Sequence, residues 1–181
     1  MRKLSNSELL RKSPDEFKQA QKTPVVLVLD NVRSLNNVGS VFRTADSFLL
    51  EAVYLCGITG TPPHKDIQKT ALGATATVNW KYYKTTEEAV EELQTHKYQV
   101  FAIEQAEGSE MLHQLQFNFL QKIAFVFGNE ISGVSQSVIN LCHSCIEIPQ
   151  SGFKHSLNIS VATGIVCWEA YRQFLLWQNS I

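Results

Sequence analysis

An α/β fold, a mainly parallel sheet with helices on both faces, is predicted by three features of this sequence. Short apolar runs alternate along the chain with segments of helical periodicity, the pattern of strand-helix-strand units. The first run, Val25 to Leu29, is apolar at every position instead of every second one, as a strand covered on both faces has to be. No internal repeat, low-complexity tract or long linker breaks the alternation. A single domain over residues 23–181 is therefore expected, preceded by a short basic helical arm over residues 1–22.

In the arm, Ser13-Pro14-Asp15-Glu16 is a helix start. Ser13 can cap free N–H groups, Pro14 suits the first helical position, and the two acids complement the helix dipole. After the strand-like run Val25 to Leu29 comes the turn-rich segment DNVRSLNN. Val38, Val41, Phe42, Ala45 and Leu49 then recur at helical spacing, with Asn37 placed as N-cap. Arg43 falls off that apolar stripe, which leaves its head free to face a cleft. Strand-like AVYLC, TVNWKYY, YQVFAIE, KIAFVF and CIEIP follow, interleaved with helical stretches near Lys65 to Leu72, Thr86 to Gln94 and Ser135 to Leu141. A final helix is expected from about Leu157 to Trp177.

The totals narrow the class. With 181 residues, 44% apolar and 18% charged, the chain can bury a proper core. No apolar run approaches the roughly 18 residues a membrane span needs, and the start lacks a signal-peptide stretch, so a soluble cytoplasmic protein is expected. Four cysteines suggest free thiols. Cys142 and Cys145 form one CxxC, half a zinc ligand set, in a segment that reads as a helix end entering the core. A net charge of −1 gives no overall pull toward nucleic acid, yet residues 1–22 hold six basic against three acidic side chains. Residues 87–110 hold seven glutamates and one lysine. The basic block could place phosphate contacts on Arg11, Lys12, Lys18 and Lys22; solvated helix faces explain each block as well.

In open α/β sheets ligands bind beyond the carboxyl ends of strands, so the loops after strand-like runs are the places for chemistry. Three stand out: Asp30 to Gly39, Phe127 to Gly133, and Ile148 to Asn158. Singly, each is explained by turn and cap chemistry. Together they bring amides, hydroxyls, one arginine and one carboxylate to strand ends, a set suited to orienting a ligand. The dinucleotide fingerprint G-x-G-x-x-G, the P-loop, G-x-S-x-G and H-E-x-x-H are all absent, which removes the common nucleotide, hydrolase and zinc-protease readings.

NVRSLNNVGSVFRTAD, FVFGNEISGVS and IPQSGFKHSLNISVA, in that order, resemble the three motifs of the SPOUT methyltransferases, in the branch that methylates tRNA and rRNA ribose (SpoU/TrmH). KTALGAT, Lys69 to Thr75, also resembles a family segment, and the likeness spans about Val25 to Trp168. It implies a C-terminal trefoil knot, S-adenosylmethionine as cofactor, tRNA or rRNA as substrate, no metal, and a homodimer with active sites at the subunit interface. An RNA- or cofactor-binding module without turnover is the alternative.

Carried over by motif, the catalytic set is Asn37, Arg43, Glu130, Ser156 and Asn158, and the cofactor set is Gly128, Ile148 and Leu157, with Glu104 from the neighbouring strand end. Arg43 is the group expected to act on the 2′-hydroxyl, by positioning and charge stabilisation or as a base. Asn37 would orient Arg43 or the ribose; Glu130 would fix Arg43 or balance the sulfonium charge; Ser156 and Asn158 would order the others. Glycine at 128 would let backbone approach a ligand closely. Gln150 departs from the family's usual methionine, and His155, of a side-chain type whose unperturbed pKa lies near neutrality, is either a base or a bystander.

Overall fold

The computed structural model describes residues 1–5, 8–9, 12–154 and 156–180. Arg11 and His155, both named above, lie outside the described residues. Helix α1 (Pro14–Gln19) begins as its residues dictate, with Ser13 accepting from the Glu16 N–H and the Glu16 carboxylate returning to the Ser13 N–H. Its Phe17 is buried and carries Lys22 over the ring, 3.6 Å from the centroid. Lys22 also donates to the Phe17 carbonyl, so this basic residue of the arm is turned inward.

Among the described residues seven parallel strands follow: β1 (Thr23–Asp30), β2 (Leu50–Cys56), β3 (Asn79–Tyr83), β4 (Gln99–Ile103), β5 (Glu110–Met111), β6 (Ile123–Phe127) and β7 (Ser144–Glu147). Their order across the sheet is β3-β2-β1-β6-β4-β7-β5. The late strands β6 and β7 are each inserted between strands made earlier in the chain, an order consistent with a threaded C-terminal segment. Helices α2 (Leu35–Ser47), α3 (Lys65–Ala71), α4 (Thr86–Thr95), α5 (Gln136–Leu141) and α6 (Ile159–Gln178) cover the two faces.

The run Val25 to Leu29 explains the layering. Successive side chains of a strand point to opposite faces. Val25, Leu27 and Leu29 enter one core with Val38, Phe42, Ile67 and Phe174 of α2, α3 and α6; Val26 and Val28 enter the other with Val90, Leu93 and Val138 of α4 and α5. Each fully buried aliphatic side chain of this kind contributes about 1.5–3 kcal/mol, which is why a strand apolar at every position sits at the centre of the sheet.

Local differences from expectation have clear causes. The N-cap of α2 is Ser34, whose hydroxyl accepts from the Asn37 N–H at 3.3 Å; Asn37 is inside the helix, and its amide is free for other partners. The last helix starts at Ile159, capped by Asn158, which accepts from the Ser160 N–H at 2.9 Å. Strand β5 was not anticipated, because two residues carry no readable alternation. The acidic block is largely α4, where Glu88 completes a capping box with Thr85 and Glu92 pairs with Lys81 at 2.6 Å. Cys142 ends α5 and Cys145 enters β7, as the helix-end reading of the CxxC expects; burial raises both thiols, Cys142 to about 12, and Cys145 donates to the Glu104 carbonyl at 3.2 Å.

Candidate active site

After β6 the chain turns back on itself within five residues. Asn129 and Gly133 exchange two backbone hydrogen bonds, 3.0 and 2.9 Å, and Gly133 takes a left-handed φ of 67° to close the turn. Gly128 is required for this fold-back, since a Cβ there would lie 2.0 Å from the Gly133 carbonyl carbon and 2.1 Å from the Val134 nitrogen. The close approach expected at this glycine is therefore to the chain's own backbone. Asn129 ties the loop to its neighbour by donating to the Asn31 carbonyl at 2.7 Å.

Glu130 stands at the tip of that turn, at the N-terminal end of α2. Its carboxylate accepts from the Arg33 N–H, the Ser34 N–H and the Asn37 side-chain amide, each at 3.0 Å. A carboxylate belongs there, because free N–H groups and the positive end of the helix dipole converge on that point. Partial burial works to raise the Glu130 carboxyl, but the hydrogen bonds from Arg33, Asn37 and Ser34 outweigh it and hold the group below its ordinary value. Asn37 passes the connection on: its Oδ1 accepts from the Asn158 amide at 3.3 Å, and Asn158 Oδ1 accepts from both the N–H and hydroxyl of Ser160, at 2.9 and 2.7 Å. One polar chain, Glu130-Asn37-Asn158-Ser160, thus joins all three loops singled out in the sequence.

Two hollows flank this chain. A cleft of about 700 Å³ opens at the carboxyl ends of β4 and β6 and beside the loop after β7. Ile103, Phe127, Ile148 and Leu157 give it apolar walls, and Glu104, Gly128, Glu130, Ser156 and Asn158 its polar edge. Ser156 is exposed and makes no hydrogen bond among the described residues. The Glu104 carboxylate accepts from the Gln105 and Val134 N–H groups, at 2.8 and 3.1 Å, so it braces the β6 loop against the end of β4. Leu157 is 38% exposed and Ile148 rests against the core; of these two apolar residues, Leu157 is the one a ligand would cover.

The second hollow, a groove of about 560 Å³, runs between α2, α3 and the start of α6 and holds Arg43. Arg43 does not line the 700 Å³ cleft. Its guanidinium makes no hydrogen bond or ion pair among the described residues, so within one chain neither Asn37 nor Glu130 orients it, which leaves for these two the ribose and the sulfonium charge as the expected alternatives. The reason is geometric: along an α-helix six residues advance about 9 Å, and Asn37 and Glu130 sit at the helix start with their polar atoms already engaged. Among the described residues, the structure brings eight of the nine expected site residues to or around one cleft and leaves Arg43 in the adjoining groove. Sequence reasoning missed Ser160, which links cleft and groove, and the bracing by Asn129; both sit inside the quoted motifs but look like ordinary turn residues.

The model of the SpoU rRNA methylase family matches residues 24–168, well over half of the chain. The chain belongs to this family. Among its relatives, the 23S rRNA (guanosine-2′-O-)-methyltransferase RlmB of Pasteurella multocida is 33% identical over 175 residues, covering 93% of this chain and 68% of that protein. The tRNA (guanosine(18)-2′-O)-methyltransferase of Thermus thermophilus is 27% identical, covering 93% of this chain and 85% of that protein. Of solved structures, the SpoU family chain superposes on an AdoMet-bound rRNA methyltransferase from Sinorhizobium meliloti with a TM-score of 0.77 at 28% identity, over 90% of this chain and 61% of that one. The chain spans about two thirds of the length of the curated rRNA relatives it matches.

Proposed function

We propose that this SpoU family chain is an S-adenosylmethionine-dependent methyltransferase acting on a ribose 2′-hydroxyl of tRNA or rRNA. The carrying observation is the polar chain Glu130-Asn37-Asn158-Ser160, which sets a cleft at strand ends beside a groove that holds an unpaired arginine. The names of the relatives point to the same chemistry.

The cleft fits the cofactor by size and by donor set. Its volume of about 700 Å³ lies in the range of small-molecule sites, and its lining sets apolar walls against polar side chains that can orient a ligand. Ile148 and Leu157 would flank the adenosine, with backbone groups near Gly128, Ile148 and Leu157 meeting its polar atoms. When bound, S-adenosylmethionine supplies a methyl group on positively charged sulfur. The carboxylates Glu104 and Glu130 at the cleft edge suit a cationic ligand.

Arg43 acts on the RNA side. An arginine side chain already carries its proton at neutral pH and is a poor base, so its part is to hold the substrate and stabilise negative charge developing on the 2′-oxygen. Asn37 and Asn158 keep the loops in register and so fix where the ribose sits. Because Arg43 is apart from its own chain's cleft, the site is completed by a second copy in a homodimer. Exposed Val161, Ile165, Trp168 and Leu176 on the outer side of α6 support such an interface. No helix among the described residues is long and apolar enough to cross a membrane.

The test is transfer of label from S-adenosylmethionine to bulk tRNA and rRNA, followed by digestion to nucleosides. Label on ribose, lost in Arg43→Ala with an unchanged melting temperature, is the expected result. Binding of RNA and cofactor without transfer, in every RNA pool, would instead make the chain a binding module.

A further inference from the structure

The groove that holds Arg43 contains a second cation. Lys69, in the last turn of α3, lines it together with Ser40, Thr44 and Thr70. Like Arg43, Lys69 is exposed and makes no hydrogen bond or ion pair among the described residues. Among the described residues no carboxylate lines the groove, whereas Glu104 and Glu130 line the cleft on the far side of the polar chain. In a chain of net charge −1 this is a segregation of sign: acidic where a cation would bind, basic where an anion would.

The position of Lys69 is built. Gly39 of α2 meets α3 so closely that a Cβ there would lie 2.2 Å from the Ile67 carbonyl oxygen and 2.1 Å from the Thr70 hydroxyl. The Thr70 hydroxyl donates across to the Asn36 carbonyl at 2.9 Å, and the Ser40 hydroxyl donates to that same oxygen at 2.9 Å. The two helices are thereby locked where Lys69 and Arg43 share one groove. A lysine at the end of a helix already gains from the dipole, but that role needs neither a groove nor a neighbouring unpaired arginine.

We infer that Lys69 is a substrate-positioning residue, its ammonium and the Arg43 guanidinium together holding a phosphodiester of the RNA next to the target ribose. This rests on the proposed reaction only for the word substrate; the contact itself is with RNA backbone. Neutralising one phosphate contact to single-stranded RNA lowers the slope of log affinity against log salt by roughly 0.7.

The experiment uses the full chain, poly(U) as the binding probe and bulk tRNA as the transfer probe, with Lys69→Gln and Lys69→Arg. Lys69→Gln is expected to bind poly(U) about tenfold more weakly at low salt, with the slope reduced by about one contact, and Lys69→Arg to restore the slope. S-adenosylmethionine affinity stays native in both, and the loss in transfer falls on KM for RNA more than on kcat. A native salt slope in Lys69→Gln overturns the inference. Should the unsubstituted chain bind RNA but transfer no methyl, the proposed reaction fails while the slope still decides the contact.

Discussion

Asn37 and Glu130, 93 positions apart in sequence, meet through a 3.0 Å hydrogen bond from the asparagine amide to the carboxylate, which at the same time accepts from the N–H groups of Arg33 and Ser34. One side chain thus fixes the spacing between the loop after β1 and the loop after β6. Replacing it should disturb alignment far more than stability. Glu130→Ala is expected to lower the methyl-transfer rate about 100-fold, the scale of a 1 Å misplacement. Because the carboxylate is largely exposed, stability should change by less than about 1 kcal/mol. A melting curve and a rate measured on the same preparation check both, and a native rate would refute the role.

The same carboxylate sets a pH dependence. Glu130 is held below its ordinary value in the folded chain, so its contribution is complete above the unfolded carboxyl value, about 4.3, and is lost as pH falls through the lower folded value. Between neutral and mildly acid pH the loop arrangement should not change. Carbon-detected NMR titration of the Glu130 carboxyl should show its inflection on the acid side of the ordinary glutamate value, about 4.3; an inflection at or above that value contradicts the hydrogen bonding described.

Gly128→Ala tests the fold-back after β6. A Cβ there would meet the backbone of Gly133 and Val134 at 2.0–2.1 Å, which no side-chain rotation can relieve. The expected cost is about 1–3 kcal/mol, with loss of S-adenosylmethionine binding because the loop forms one edge of the cleft. Calorimetric titration showing native cofactor affinity would mean the loop can reopen without consequence.

Gly39→Ala tests the α2–α3 contact. In an open helix this change stabilises by up to about 1 kcal/mol. Here the added carbon would lie 2.2 Å from the Ile67 carbonyl oxygen, so the sign should reverse and denaturation midpoints should fall. A raised midpoint would show that α3 is free to shift.

Much of the architecture was legible because Val25 to Leu29 of β1 are all apolar and because helix periodicity is strong in α2 and α4. The ends were less so. Ser34 and Asn37 both carry cap-forming side chains, and only the path of the chain after Asn31, with its left-handed φ of 54°, decides that Ser34 takes the cap. The motifs span most of the cleft residues, yet they could not show that Glu104 braces Val134 or that Arg43 stands apart from Glu130. Those are distances between segments far apart in sequence, and no local pattern encodes them. Lys69 lay in a segment whose resemblance was visible but whose neighbour across the groove was not.

The register of the sheet centre, where Val25 pairs with Ile123, has a consequence for assembly of the molecule. During synthesis β1 emerges well before β6, and its flank on that side stays open until β6 has left the ribosome. For that interval an apolar edge, later sealed from water, is available to any passing strand. Parallel pairings this far apart in sequence close slowly. Newly made chains should therefore lean on chaperones or low temperature to reach the native state in good yield.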